Sequence, residues 1–125
     1  MSTVLIVDDS KLARIVVGKA VAAVHPDWSR MEAASAQEAE QQLDKGGVDL
    51  MIVDYNMPGC NGLELAERVR ARFADMPIAL ATANVQDEIM AKARAINVTF
   101  VPKPITEDGL RGFLSGAALR LRRNG

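Results

Sequence analysis

The chain has only one cysteine, Cys60, among its 125 residues, which excludes an internal disulfide. No apolar run approaches the ~20 residues that a transmembrane helix needs. The N-terminus also has neither the basic start nor the long apolar stretch of a secretory signal. We therefore expect a cytoplasmic protein that does not insert into a membrane.

An excess of charge of either sign is also absent. Fifteen basic residues stand against sixteen acidic ones, which gives a formal net charge of −1. This balance gives no reason to expect binding to nucleic acid or to a membrane surface through bulk charge. The sequence has no internal repeat, low-complexity tract or linker rich in Pro, Gly or Ser. Its length fits one domain, which we expect to cover residues 1–125.

Short apolar runs recur along the chain, each as long as a strand that is buried on both faces. The four apolar runs are Val4–Val7, Leu50–Val53, Ile78–Ala81 and Thr99–Val101. A weaker run of mixed polarity, Arg30–Ala34, has the character of an edge strand. Segments with helical spacing separate the runs and end the chain. They are Leu12–Val24, Ala36–Leu43, Leu63–Phe73, Ile89–Ile96 and Glu107 to about Arg122.

This alternation of strands and helices predicts an α/β fold with a five-stranded parallel sheet and helices on both faces. Right-handed crossovers leave few possible strand orders. In the doubly wound, flavodoxin-like (βα)5 order 2-1-3-4-5, the first and third strands are neighbours, and ligands bind beyond the carboxyl ends of the strands.

Polar residues follow four of the predicted strands. Asp8 and Asp9 follow the apolar residues of VLIVDDS, Asp54 ends DLMIVD, and Thr82 and Lys103 follow the last two strands. Three carboxylates that meet at one edge of a sheet repel one another unless a cation or protons neutralise them, and ligation by oxygen alone suits Mg²⁺. A lysine and a hydroxyl beside such an ion suit an anion, such as a phosphoryl group.

Each of these residues has a plainer interpretation when it is taken alone. Asp8 and Asp9 could merely begin the first helix, with Ser10 as a good N-cap. Asp54 could be an ordinary loop carboxylate, and Lys103 a solvated charge. Their joint placement at the ends of the strands favours one shared site.

At these positions the sequence strongly resembles the receiver domain of two-component response regulators, from Val4 to the last helix. The matching motifs are Asp8-Asp9, Asp54 with Met57-Pro58-Gly59 and Asn61-Gly62, Thr82-Ala83, and Lys103-Pro104. One departure is the step Ala95-Ile96-Asn97, where many relatives have a sequence like Ala-Gly-Ala. Asparagine tolerates left-handed backbone, so we expect the turn to be kept.

The resemblance implies that Asp54 is the phosphoacceptor. It also implies a Mg²⁺ site in which Asp8 and Asp9 hold the ion, directly or through water, beside Asp54. The backbone carbonyl of Asn56 would complete the metal shell.

The resemblance further implies a switch and a set of partners. Thr82 and Lys103 would contact the phosphoryl oxygens, and Phe100 would take the place of the aromatic switch residue, which is often a tyrosine. A histidine kinase or histidine phosphotransfer protein would donate the phosphoryl group. The face formed by helix 4, strand 5 and helix 5 would then signal to a downstream protein, or the phosphate would be relayed onward. Because the chain ends after the fifth helix, we expect a single-domain regulator without an output domain.

Two rival interpretations remain. A metal-dependent phosphatase of the haloacid dehalogenase type also uses an aspartate nucleophile at a strand end and Mg²⁺. Its usual Asp-x-Asp pattern is missing at Asp54-Tyr55-Asn56, so we expect no enzyme activity beyond self-phosphorylation and dephosphorylation. A pseudo-receiver that binds proteins without phosphate control is disfavoured by the intact Asp54, Thr82 and Lys103.

Overall fold

A computed structural model describes residues 2–83 and 86–124, the last two of them as backbone only. Five strands and five helices alternate along the chain. The strands are β1 (Thr3–Val7), β2 (Ser29–Ala33), β3 (Leu50–Asp54), β4 (Ile78–Thr82) and β5 (Thr99–Pro102). The helices are α1 (Lys11–Val24), α2 (Ala36–Lys45), α3 (Gly62–Arg72), α4 (Asp87–Ala95) and α5 (Glu107–Asn124).

The strands form one parallel sheet in the order β2-β1-β3-β4-β5. This confirms the predicted flavodoxin-like order and the prediction that β2 is an edge strand. Asp54 and Thr82 are the last residues of β3 and β4, rather than the first residues after them, and they pair with Ala81 and Pro102 on the neighbouring strands. The sheet ladder therefore fixes the backbone of both residues.

The core has two halves, one on each face of the sheet, because successive residues of a strand point to opposite sides. Leu5 and Val7 of β1 pack with residues of α2, α3 and α4. Val4 and Ile6 of the same strand pack with residues of α1 and α5. Each fully buried aliphatic side chain of this kind contributes roughly 1.5–3 kcal/mol of transfer free energy. The continuous apolar runs of the sequence are thus explained by burial on both faces.

Local sequence signals set the ends of several helices. Ser10 and Ser35 cap α1 and α2 by accepting a backbone N–H, and Asn61 forms a capping box with Glu64 at the start of α3. Asn97 has a φ of 57°, so the turn between α4 and β5 keeps the left-handed residue that we predicted. Among the described residues, none of the helices combines the length and apolar character that crossing a membrane requires.

Gly62 fits tightly against the strand that carries Asp54. A Cβ atom at this position would overlap the backbone carbonyl oxygen of Asp54 and would also press on Leu80. We expect Gly62→Ala to lower the free energy of unfolding by about 1–3 kcal/mol, because a backbone carbonyl in a central strand cannot easily move. The free energy is measured by urea unfolding.

The matched control for this prediction is Gly116→Ala in α5. A Cβ atom there meets no other atom within 4 Å, so the helix gains up to about 1 kcal/mol from the replacement. Equal unfolding free energies for Gly62→Ala and wild type would contradict the tight contact with Asp54.

Candidate functional site

Burial of polar side chains marks one edge of the sheet. Among the described residues, three polar or charged ones are buried: Asp8, Asp54 and Thr82, whose exposed fractions are 4%, 5% and 0%. All three lie at the carboxyl ends of parallel strands or directly after them. A buried polar group is costly unless it has partners, so their concentration at this edge indicates a site rather than a packing accident.

Asp9 joins the two buried carboxylates from the exposed side. One carboxylate oxygen from each of Asp8, Asp9 and Asp54 lies within 4.8 Å of the others. Strands β1 and β3 are adjacent, with Val7 opposite Val53, which brings the residues that follow Val7 close to Asp54. The predicted clustering of the three carboxylates is therefore present.

Lys103 reaches this cluster from the end of β5. Its Nζ atom lies 2.8 Å from Oδ1 of Asp54 and 3.4 Å from Oδ2 of Asp8. The Lys103 amide also donates a hydrogen bond to the carbonyl oxygen of Thr82, at 3.0 Å. One cation thus faces two buried anions, and the position of its backbone is set by the neighbouring strand.

The environment shifts the pKa of both charged partners upward. Burial raises the pKa of Asp54, and the nearby charge of Asp8 adds to that effect, whereas Lys103 and the backbone of Asn56 only partly oppose it. Burial lowers the pKa of Lys103, but the hydrogen bonds and charges of Asp54 and Asp8 outweigh it, so the net shift is upward. The raised pKa of Lys103 favours its charged form, whereas the raised pKa of Asp54 disfavours its ionised form.

The donor set suits a hard divalent cation. Three carboxylates supply oxygen ligands, the type that Mg²⁺ prefers. The Oδ1 atom of Asp54 is buried, and Nζ of Lys103 lies 2.8 Å from it. A carboxylate oxygen has two lone pairs, so it can accept a further contact. A buried carboxylate oxygen with unused acceptor capacity is what a metal ion would satisfy. Asp8, Asp9 and Asp54 are thus the residues that could hold one.

The local capping interpretation of the aspartate pair is also correct in part. Ser10 accepts a hydrogen bond from the Ala13 amide as the N-cap of α1, and its own amide donates to Oδ1 of Asp8 at 2.9 Å. Asp8 therefore supports the start of the helix and lines the site at the same time. The two interpretations are not alternatives.

The structure also describes the remaining predicted residues, Thr82, Asn56 and Phe100. Thr82 ends β4 beside the site, and Asn56 lies in an exposed loop two residues beyond Asp54. Phe100 is half-buried in β5, opposite Leu80 and outside both buried core clusters. The roles assigned to these residues toward a metal or a phosphoryl group stay predictions.

Arg14 was not predicted from the sequence. Its Nη1 atom donates to the backbone carbonyl of Asp8 at 2.7 Å, and its Nε atom donates to Glu32 at 2.8 Å. The sequence carries no local signal for these contacts, because they join α1 to the residue after β1 and to β2.

Comparison with known proteins shows a consistent set of relatives. The family model of the response regulator receiver domain matches residues 4–115. The CheY homolog of Campylobacter jejuni, a chemotaxis protein, is 34% identical over 111 residues, which are 86% of this chain and 85% of that protein. The cyclic di-GMP phosphodiesterase response regulator RpfG of Xanthomonas campestris is 35% identical over 124 residues, 96% of this chain, but the chain spans only 32% of its length. The solved structure of CheY4 from Vibrio cholerae has a TM-score of 0.83 at 28% identity, covering 94% of this chain and 98% of that one.

Removing one charge from the site should stabilise the metal-free protein. We expect Asp54→Asn to raise the melting temperature in EDTA at neutral pH, because the burial that raises the pKa of Asp54 disfavours its charged form. In the unfolded chain Asp54 ionises at its usual pKa. Wild type therefore loses stability relative to Asp54→Asn as the pH rises from this usual pKa through the raised pKa of the folded protein. Below both values Asp54 is protonated in both states, and the difference should vanish.

The control for this measurement is Asp27→Asn, which removes an exposed carboxylate in the turn before β2. It should give no stabilisation at any pH. A lower melting temperature for Asp54→Asn than for wild type in EDTA at neutral pH would show that the Lys103 ion pair outweighs burial and repulsion.

Proposed function

Because the chain belongs to the family of response regulator receiver domains, we propose that it accepts a phosphoryl group on Asp54 and signals through the resulting change of shape. The donor is the phosphohistidine of a histidine kinase or of a histidine phosphotransfer protein. The observation that carries the proposal is the buried Asp54 carboxylate, clustered with two other carboxylates and ion-paired with Lys103.

In this proposal Asp54 is the nucleophile of the transfer. One of its carboxylate oxygens forms a bond to phosphorus as the bond between phosphorus and the donor imidazole nitrogen breaks, and the nitrogen keeps the electron pair. Lys103 already contacts Oδ1 of Asp54. After the transfer, its ammonium group can therefore contact the negatively charged phosphoryl oxygens. Thr82, at the end of the adjacent strand β4, supplies a hydroxyl donor.

The metal site of the proposal consists of Asp8, Asp9, Asp54 and the backbone carbonyl of Asn56. Bound Mg²⁺ would neutralise charge on the transferring group. The chain's own contribution is to hold the carboxylates together against their repulsion. Asp8 does so through two partners, the Ser10 amide and Lys103.

The donor protein has a surface to dock on beside the site. The exposed face of α1 carries three apolar side chains, Leu12, Ile15 and Val16, of which Leu12 is 72% exposed. Leu12 and Val16, together with Ile105, line a groove that also includes Asp8 and Lys103. A helix of the donor that buries these apolar side chains would bring its phosphohistidine to the carboxylate cluster. We therefore assign this groove to the phosphodonor.

The output of the proposal is a switch that links Thr82 to Phe100. A phosphoryl group on Asp54 gives the Thr82 hydroxyl a strong, charged acceptor, so the end of β4 is drawn toward the site. Phe100 is half-buried and pairs with Leu80, which packs in the half of the core that includes residues of α4. In this proposal Phe100 turns inward. The surface of α4, β5 and α5 then presents a new shape to a downstream protein. The alternative output is onward relay of the phosphate.

Membership of the receiver family replaces the phosphatase interpretation. Receiver domains are signalling proteins rather than conventional enzymes, and the CheY homolog that resembles this chain is named as a chemotaxis protein. That the chain catalyses only its own phosphorylation and dephosphorylation is part of the proposal. Whether the protein becomes phosphorylated distinguishes this proposal from the pseudo-receiver interpretation.

Phosphorylation should be directly observable. Acetyl phosphate with Mg²⁺ should add one phosphoryl group to the protein, as seen by intact mass spectrometry. Asp54→Asn should abolish the adduct because an amide is not a competent nucleophile, and EDTA should abolish it because charge on the transferring group is no longer neutralised. Asp27→Asn is the control and should be labelled like wild type. Labelling of Asp54→Asn at the wild-type level would overturn the assignment of Asp54, and an unlabelled wild type would favour the pseudo-receiver.

The switch should depend on the Thr82 hydroxyl. Beryllofluoride with Mg²⁺, as a stand-in for the phosphoryl group, should shift backbone amide resonances near Phe100 and α4 in wild type and much less in Thr82→Ala. Phosphorylation of Asp54 should persist in Thr82→Ala, because the nucleophile and the metal ligands remain. Equal shifts in the two proteins would show that Thr82 does not couple the site to this face.

A further inference from the structure

Arg14 connects the candidate metal site to the edge of the sheet. It lies in the second turn of α1, and its side chain is only 14% exposed. Its Nη1 atom donates to the carbonyl oxygen of Asp8, and its Nε atom forms an ion pair with Glu32 of β2. The guanidinium group is a rigid fork, so these two contacts fix its position relative to both strands.

The carbonyl that Arg14 holds belongs to the peptide bond between Asp8 and Asp9. The Asp8 amide still donates to the Ala33 carbonyl at 3.1 Å, as in a continued ladder, but β2 ends at Ala33. In a parallel ladder the Asp8 carbonyl would need an amide from further along β2. Arg14 supplies the missing donor. It therefore fixes the plane of the peptide from which Asp9 departs.

Asp9 has no comparable support of its own. Its side chain is exposed and makes no hydrogen bond or ion pair with the described residues, whereas Asp8 has Ser10 and Lys103 as partners. The direction of the Asp9 carboxylate thus depends on its backbone. Resting on the proposed function, we infer that Arg14, oriented by Glu32, is a positioning residue that holds Asp9 ready to bind the divalent cation.

Positioning and simple electrostatics predict opposite effects at Arg14. Loss of a positive charge close to a cation site should strengthen Mg²⁺ binding if charge alone matters. Loss of the peptide anchor should weaken it, because a ligand held in the wrong direction must be reoriented on binding. The Mg²⁺ affinity of an Arg14 variant therefore distinguishes the two roles by sign.

The test is a calorimetric Mg²⁺ titration at fixed ionic strength, well below the melting temperature of every variant. Arg14→Met should weaken Mg²⁺ binding about tenfold, at the lower end of the range for residues that orient metal ligands. Arg14→Lys should weaken it similarly although the charge is kept, because an ammonium group cannot reproduce the fork. Arg72→Met, which breaks the Arg72–Asp44 ion pair on another surface, should leave the dissociation constant unchanged.

Two further readouts report on the contact itself. The carbonyl ¹³C resonance of Asp8 in metal-free protein should shift in Arg14→Met and stay in place in Arg72→Met. Glu32→Ala should weaken Mg²⁺ binding when Arg14 is present and should add no further loss in the Arg14→Met background. If Arg14→Met does not fold, Arg14→Lys and Glu32→Ala provide the same test. Mg²⁺ binding by Arg14→Met as tight as by wild type, or tighter, would overturn the positioning role. Failure of wild type itself to bind Mg²⁺ would instead overturn the proposed function on which the inference rests.

Discussion

Repulsion among Asp8, Asp9 and Asp54 is the constraint on which the organisation of this molecule depends. Three carboxylates whose oxygens lie within 4.8 Å of one another would separate in a flexible chain. Here two of them are attached to β1 and β3, adjacent strands whose side chains are buried on both faces of the sheet. The energy of the apolar core therefore holds together a cluster that its own charges oppose. Lys103 offsets part of that repulsion. The negative charge that Lys103 does not neutralise favours the binding of a cation.

The supporting contacts act on the backbone as much as on the side chains. Gly62 lets the start of α3 lie directly against the carbonyl of Asp54. Arg14 holds the carbonyl of Asp8, and the Lys103 amide is bonded to the strand that ends in Thr82. The backbones of Asp54, Asp8 and Lys103 are thus each held by a neighbouring element. Asp54 thus adjoins both the end of β5 and the start of α3, so in the proposed switch a change of charge at Asp54 acts on both elements.

Most of the fold, and the identity of the clustered residues, could be predicted from the sequence. The apolar runs of β1, β3 and β4 have the length of buried strands, and the rule that ligands bind at the carboxyl ends of parallel strands places Asp8, Asp54 and Lys103 at one edge. The contacts of Arg14 could not be predicted, because they depend on where β2 ends relative to β1 rather than on spacing along the chain. The groove beside Leu12 was also missed, since helical spacing shows an apolar face but not whether another element covers it.

The strand ends show a second limit of sequence reasoning. The predicted strands stopped one residue early at Asp54 and Thr82, because a polar residue after an apolar run looks like the start of a loop. In the structure both residues still belong to the ladder. The polar character reflects the chemistry of the site and not the end of the strand.

The central claim is that the three carboxylates form one divalent-cation site, and crystals soaked in Mn²⁺, as a stand-in for Mg²⁺, test it most directly. The anomalous signal distinguishes Mn²⁺ from water and from lighter ions. The account predicts one dominant peak among the carboxylates of Asp8, Asp9 and Asp54, and loss of that peak in Asp9→Asn. A soaked crystal with no peak at this edge of the sheet, or with its dominant peak at another acidic cluster, would contradict it.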